Sequence, residues 1–302
     1  MNRALWSKAW LEARWMLAGC ALLMFLFHWL FVWIINLIPM STYLNLVGGL
    51  PPEMKRMLGP DVENYLTHGG RIALGYIDPV VLFLSAVWGI SRGSDAVSGE
   101  IGRGTMEMLL AQPVRRLTVL LIPVEVMVLG AAALAISAWL GTCVGLALVD
   151  FEAEAAIPAA GFFPAEGLPG WPLPAPTPQE VVIPASDYLP AALNLFSLTF
   201  FTAAIATLAS SWDRYRWRTV GLVGAVYVVQ LVVKMISRMV ESLDWMMWTT
   251  FLGAYQPQIL ATEPEQVWEL SLRYNGVLLG LGLLAFVLSA VIFCRRDLPA
   301  PL

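Results

Sequence analysis

Apolar residues along this chain gather in long runs rather than in alternating stripes. Runs of about 20 residues, the helix length that crosses a hydrocarbon core, lie at about 17–38, 72–91, 117–148, 190–211, 219–238 and 275–294. The pattern predicts an all-α polytopic membrane protein, one transmembrane domain over 1–302 with six transmembrane helices. The third run is long enough to tilt or to project beyond the bilayer. Ahead of the first, Trp6, Ala9, Trp10 and Ala13 fall on one helical face while Lys8 and Glu12 sit four apart on another. That spacing predicts an interfacial helix over 4–15, with tryptophan at headgroup level. A signal peptide is the weaker alternative, because the apolar run after Arg14 is too long and no small-residue cleavage pattern precedes Pro39.

Composition agrees with the pattern. The 302 residues are 58% hydrophobic and 13% charged, with a mean hydropathy of +0.69, too little charge to cover a soluble surface. Disorder is excluded on the same grounds, and a net charge of −4 suggests no nucleic acid partner. Six spans put the N-terminus, the 2–3 and 4–5 connections and the C-terminus on one side. That side carries twelve Lys and Arg against six on the other, so both termini are expected to be cytoplasmic. The stretch 117–213 has no Lys or Arg, and its loop at 150–189 is acidic and rich in proline. We expect that loop outside, as an extended spacer or, alternatively, a binding lid.

Several chemistries lack their components. None of the three lysines (Lys8, Lys55, Lys234) ends a P-loop, so ATP hydrolysis by that route is not expected of this chain. Two histidines, His28 and His68, form no His-Glu-x-x-His zinc site, and no Gly-x-Ser-x-Gly elbow is present. Cys20, Cys143 and Cys294 fall in or at the ends of predicted spans without metal-ligand spacing and read as small apolar fillers.

The most informative stretch is the connection between spans two and three, Ser91 to Arg116. Thr105 is a good helix N-cap and Glu107 suits a first turn. Met106, Leu109 and Leu110 share a face, and Gln112 precedes the helix-breaking Pro113. These features predict a short amphipathic coupling helix lying along the membrane, with its polar side toward the cytosol. The pattern Ser-Gly-Glu-x-x-x-Gly-Thr-Met-Glu-x-Leu-Leu-x-x-Pro-Val-x-Arg (Ser98 to Arg116) resembles the signature of ABC-2-type transporter permeases. The motif covers about 20 residues; the interfacial helix, the six spans and the terminal Arg295 to Leu298 extend the likeness to the architecture.

The resemblance implies a multi-pass subunit of the plasma (bacterial inner) membrane, an exporter half surrounded by membrane lipids. It implies two partners: a second permease copy or homologue, and a separate ABC ATP-binding subunit. It implies no cofactor in this chain, ATP and Mg residing on the partner. Carried onto this sequence, the coupling residues are Glu100, Gly104, Thr105, Glu107 and Pro113. Glu100 and Glu107 would offer carboxylates to the partner's basic groups, Gly104 would permit a sharp turn, and Pro113 would end the helix.

Glu125, Lys234 and Arg238 are ionisable groups inside predicted spans, where charge is costly and faces protein or a wet cavity. They read either as contacts for an anionic substrate or a gate, or as Arg238 snorkelling outward with Glu125 or Lys234 in an interhelical ion pair, Asp78 being a candidate partner for Lys234. Three Gly-x-x-x-Gly pairs, at 89/93, 141/145 and 276/280, permit close helix approach. An ion-coupled secondary transporter using these charges is one rival reading. A membrane scaffold that anchors an ATPase without moving solute is another.

Overall fold

The computed structural model describes residues 3–51, 54, 67–151, 183–263 and 266–296. Most of the Pro-rich loop (152–182), together with Lys55, Arg56 and 297–302, lies outside the described residues. In chain order the helices are α1 (Arg3–Leu37), α2 (Met40–Gly48), α3 (His68–Gly102), α4 (Met106–Leu110), α5 (Arg116–Leu148), α6 (Leu189–Trp212), α7 (Arg216–Met239), α8 (Pro257–Thr262) and α9 (Val267–Arg295). Six of them, α1, α3, α5, α6, α7 and α9, are long and apolar enough to cross a membrane. No strand occurs among the described residues.

The expected break between an interfacial helix and the first span is absent. Nothing between Ala13 and Ala18 interrupts the ladder, neither proline nor glycine, so α1 runs unbroken for 35 residues, about 52 Å of rise. Its buried positions are Leu5, Ala9, Ala13, Leu17, Cys20, Met24, His28, Val32 and Ile35, spaced by fours and threes. This is a single narrow seam, and Trp10, assigned above to the apolar face, lies outside it and is exposed. The seam packs along α5, parallel to it. A Cβ on Gly141 would collide with the Phe25 carbonyl, and one on Gly145 would come within 2.6 Å of Val32. A second glycine pair does the same for α3 against α6, where a Cβ on Gly93 would come within 2.5 Å of Ala206. A Cβ on Gly276 or Gly280 would meet nothing within 4 Å, so that third spacing makes no close helix approach among the described residues.

α3 is a composite rod. A 3-10 turn at Leu74–Ile77 gives way at Asp78, whose Oδ1 accepts from the Val80 N–H (2.8 Å) and restarts the helix with Pro79 in its first turn. Asp78 is thus a cap, not the partner of Lys234. The fully buried Trp88 crosses to α5, where its Nε1 donates to the Met127 carbonyl (3.1 Å).

Contacts sort the termini of the spans into two ends. At one, Lys8 reaches Glu100, Arg216 reaches Asp95 and Ser91, Arg116 donates to the Arg296 carbonyl, and Arg296 donates to the Ser211 carbonyl. At the other, Arg71 donates to the Ile35 and Ile38 carbonyls, capping the C-terminus of α1. There too the Tyr188 hydroxyl donates to the Gly69 carbonyl and the Tyr255 hydroxyl to the Tyr76 carbonyl. The start of α1, the 2–3 and 4–5 connections and the end of α9 therefore share one end of the bundle.

Candidate functional site

A dense polar assembly lies at that shared end, where α3 stops. Its last turns change register: Asp95–Gly99 is π-helical, the single-turn departure often found at functional sites. The wider turn leaves backbone N–H groups to be satisfied from outside, and Ser210 of α6 meets them. Its Oγ accepts from the N–H groups of Val97 (3.2 Å) and Ser98 (2.8 Å) and donates to the Ser94 carbonyl (3.0 Å). Gly99 is required by the same turn, because a Cβ there would strike the Asp95 carboxylate folded back over it.

Two carboxylates organise the charges. Asp95, 6% exposed, accepts from Arg103 (2.7 Å) and lies 3.5 Å from both Arg92 and Arg216. Glu100, 8% exposed, receives Lys8 Nζ on both oxygens (2.7 and 2.8 Å), Arg103 (2.9 Å) and the Thr105 hydroxyl. Partial burial weighs against the Arg103 charge, but its hydrogen bonds and charge pairing with Asp95 and Glu100 outweigh that and raise its pKa above the ordinary value. Lys8 on α1, the end of α3 and Arg216 on α7 are thereby joined through one charged cluster.

The sequence-expected coupling residues divide in two. Glu100 turns inward and is satisfied by this chain's own cations, so it offers no carboxylate outward. Thr105 stands at the head of α4, but its hydroxyl donates to the Glu100 carbonyl and carboxylate instead of capping the helix. Gly104 has φ 68, the left-handed region that a Cβ disfavours, and turns the chain between α3 and α4. α4 then runs only from Met106 to Leu110, ending before Pro113. Met106, 3% exposed, anchors it among Val97, Val119, Leu120 and Phe293. Glu107, Met108 and Pro113 are exposed. The result is a short helix fixed by one buried side chain and two flanking turns, with an acidic and thioether face left open.

The intramembrane charges do not form one site. Glu125 is exposed on α5 and accepts from Trp6 Nε1 (3.1 Å), at the shared end. Lys234 lies at the opposite end, where its Nζ donates to the Tyr255 carbonyl (2.9 Å) and stands 5.5 Å from that ring's centre. Arg238 donates to Gln256 Oε1 (2.7 Å). Neither interhelical ion pairing nor Asp78 accounts for Lys234: its Nζ rests on a carbonyl and over a π face.

Sequence reasoning missed the centre of this second cluster. Asn194 of α6 donates to the Ala254 carbonyl and to Asn275 and accepts from the Gln256 N–H. In the buried chain at Tyr255–Gln258, the Tyr255 carbonyl and the Gln256 N–H are met by span side chains, as backbone in apolar surroundings requires. An asparagine near the start of a predicted span (Asn194 in 190–211) was the available signal. A 610 Å³ cavity opens beside it, lined by Arg238, Glu241, Asp244, Gln256 and Arg273.

No family model matches the chain, and no curated protein is significantly similar to it.

Proposed function

We propose that this chain is the membrane-spanning permease subunit of an ABC-2-type exporter driven by a separate ATP-binding subunit. It pairs with a second permease copy or a homologue to form the translocation path. One observation carries the reading. The 103–116 loop presents an open face with Glu107 and Met108 outward, while Met106, Glu100 and Asp95 tie its base to α1, α3 and α7.

In this reading the loop end is cytosolic. Nucleotide-driven closure of the ATP-binding subunits pushes on α4, and the charged cluster passes the push to Lys8 and Arg216. Work of this kind requires that nucleotide favour one arrangement of the spans over the other, which ATP binding and hydrolysis on the partner supply. The ion-coupled alternative draws no support from the geometry, because Glu125 lies at the end opposite Lys234 and Arg238.

Glu107→Lys tests the reading. The side chain is exposed, so thermal stability of the purified variant stays within about 0.5 kcal/mol of the parent, while recovery of the ATPase partner, or its stimulation, falls. Normal recovery and full transport by this variant would overturn the assignment. Topology is checked independently: reporter fusions at residues 105 and 170 should report opposite compartments, and the same compartment for both would refute the topology.

A further inference from the structure

A long concave surface runs down the outside of the bundle between α3 and α7. Its volume is 1310 Å³, above the roughly 300–1,000 Å³ of ordinary small-molecule clefts. Leu82, Phe83 and Val87 form one wall, and Val220, Val228 and Leu231 the other. Exposed apolar side chains alone are what any lipid-facing surface shows; here the surface is hollowed. Gly221 and Gly224 line it, and a Cβ at either would meet nothing within 4 Å. From Arg216 to Leu231, α7 rises about 22 Å, more than the ~15 Å that one leaflet contributes to a hydrocarbon core of ~30 Å.

The mouth has a different chemistry. Arg103, Arg214 and Arg216 line it together, from the end of α3 and the start of α7. Arg103 and Arg216 both meet the Asp95 carboxylate, and Arg103 also meets Glu100. The Arg214 guanidinium, exposed, makes no hydrogen bond or ion pair among the described residues. Asp213, next door, spends its Oδ1 on the N–H groups of Arg214 and Tyr215. Counting Lys8 and Arg92, which join the same cluster, five cations stand against the four carboxylates Glu12, Asp95, Glu100 and Asp213, so this end is net positive. Tyr215 and Trp217 line the same rim, aromatic side chains of the kind that settle at headgroup level.

We propose that this groove is a binding site for an anionic phospholipid of the adjacent leaflet, its phosphate held by Arg214, Arg216 and Arg103 and its acyl chains laid along Gly221 and Gly224. Guanidinium groups suit phosphate because their forked donors match its oxygens. The apolar length below selects an amphiphile over a free anion. The site does not depend on the exporter reading, since a scaffold with the same groove would hold the same lipid.

Photo-crosslinking tests this. The purified chain is placed in phosphatidylcholine nanodiscs doped with photoreactive phosphatidylglycerol or, separately, photoreactive phosphatidylcholine, and labelled peptides are identified. Phosphatidylglycerol should label the peptides covering 79–91 and 217–231 in preference to phosphatidylcholine, by about fivefold for each arginine engaged. Arg214→Gln lowers that preference about fivefold. Gly224→Leu fills the floor and removes labelling by both probes; leucine is a better helix former than glycine and its Cβ has open space there, so folding is retained. Gly221→Leu serves as a second filling variant. Equal labelling by both probes, or labelling that survives both glycine variants, would overturn the site. So would a photoreactive residue at position 228 that captures a second copy of the chain instead of lipid.

Discussion

Asp95→Asn should be among the most destabilising single substitutions in this protein, at about 3 kcal/mol, the lower end for a broken buried pair. The cost resides mainly in Arg92. Its side chain is 10% exposed and that of Asp95 is 8% exposed, so the substitution leaves a guanidinium out of water with its nearest anion gone. Arg103 and Arg216 have side chains 41% and 43% exposed, and solvent takes up most of their loss. Thermal or denaturant unfolding in detergent measures the effect, and a double-mutant cycle assigns it. Adding Arg92→Gln to Asp95→Asn should restore more than half of the lost stability. If the two losses simply add, the pairing is not the source.

Gly130→Leu should also fail to pack. A Cβ at Gly130 would lie 1.9 Å from the nearest atom of the Trp88 ring, and that ring cannot withdraw while its Nε1 is bonded to the Met127 carbonyl on the same helix as Gly130. Overpacking of this kind costs about 1–3 kcal/mol. Trp88→Ala alone empties the largest fully buried side chain, at about 3–5 kcal/mol. The two changes are complementary in shape, so the double variant should be more stable than Trp88→Ala alone. A double variant less stable than either single one would contradict the packing described.

The six spans were legible in the sequence because bilayer crossing imposes length and apolarity on each segment by itself. The ends agree closely where charges or prolines mark them, as with 117–148 against Arg116–Leu148 and 190–211 against Leu189–Trp212. Two of the three glycine pairs are helix contacts, at 89/93 and 141/145, and spacing alone did not distinguish these from 276/280. The direction of a side chain was less accessible. Glu100 and Glu107 look alike in the motif, yet one is buried against Lys8 and Arg103 and the other is open. That difference depends on Lys8, 92 positions away, and on the π turn that rotates the end of α3. Similarly, Asp78 reads as an intramembrane charge until the 3-10 turn before it shows that it starts a helix. Lys234 finds a carbonyl rather than an anion because the chain folds back at Tyr255, which no periodicity announces.

The unbroken course of α1 has a mechanical consequence. A surface helix joined to a span by a flexible elbow would absorb displacement at Lys8. A rod of 35 residues has no elbow, and its seam along α5 keeps it stiff from Leu5 to Ile35. Tilting such a lever by about 5° swings one end by roughly 4–5 Å over its ~52 Å length. Movement imposed at the Lys8–Glu100 contact would thus be felt at the Arg71 clasp on the far face of the bundle.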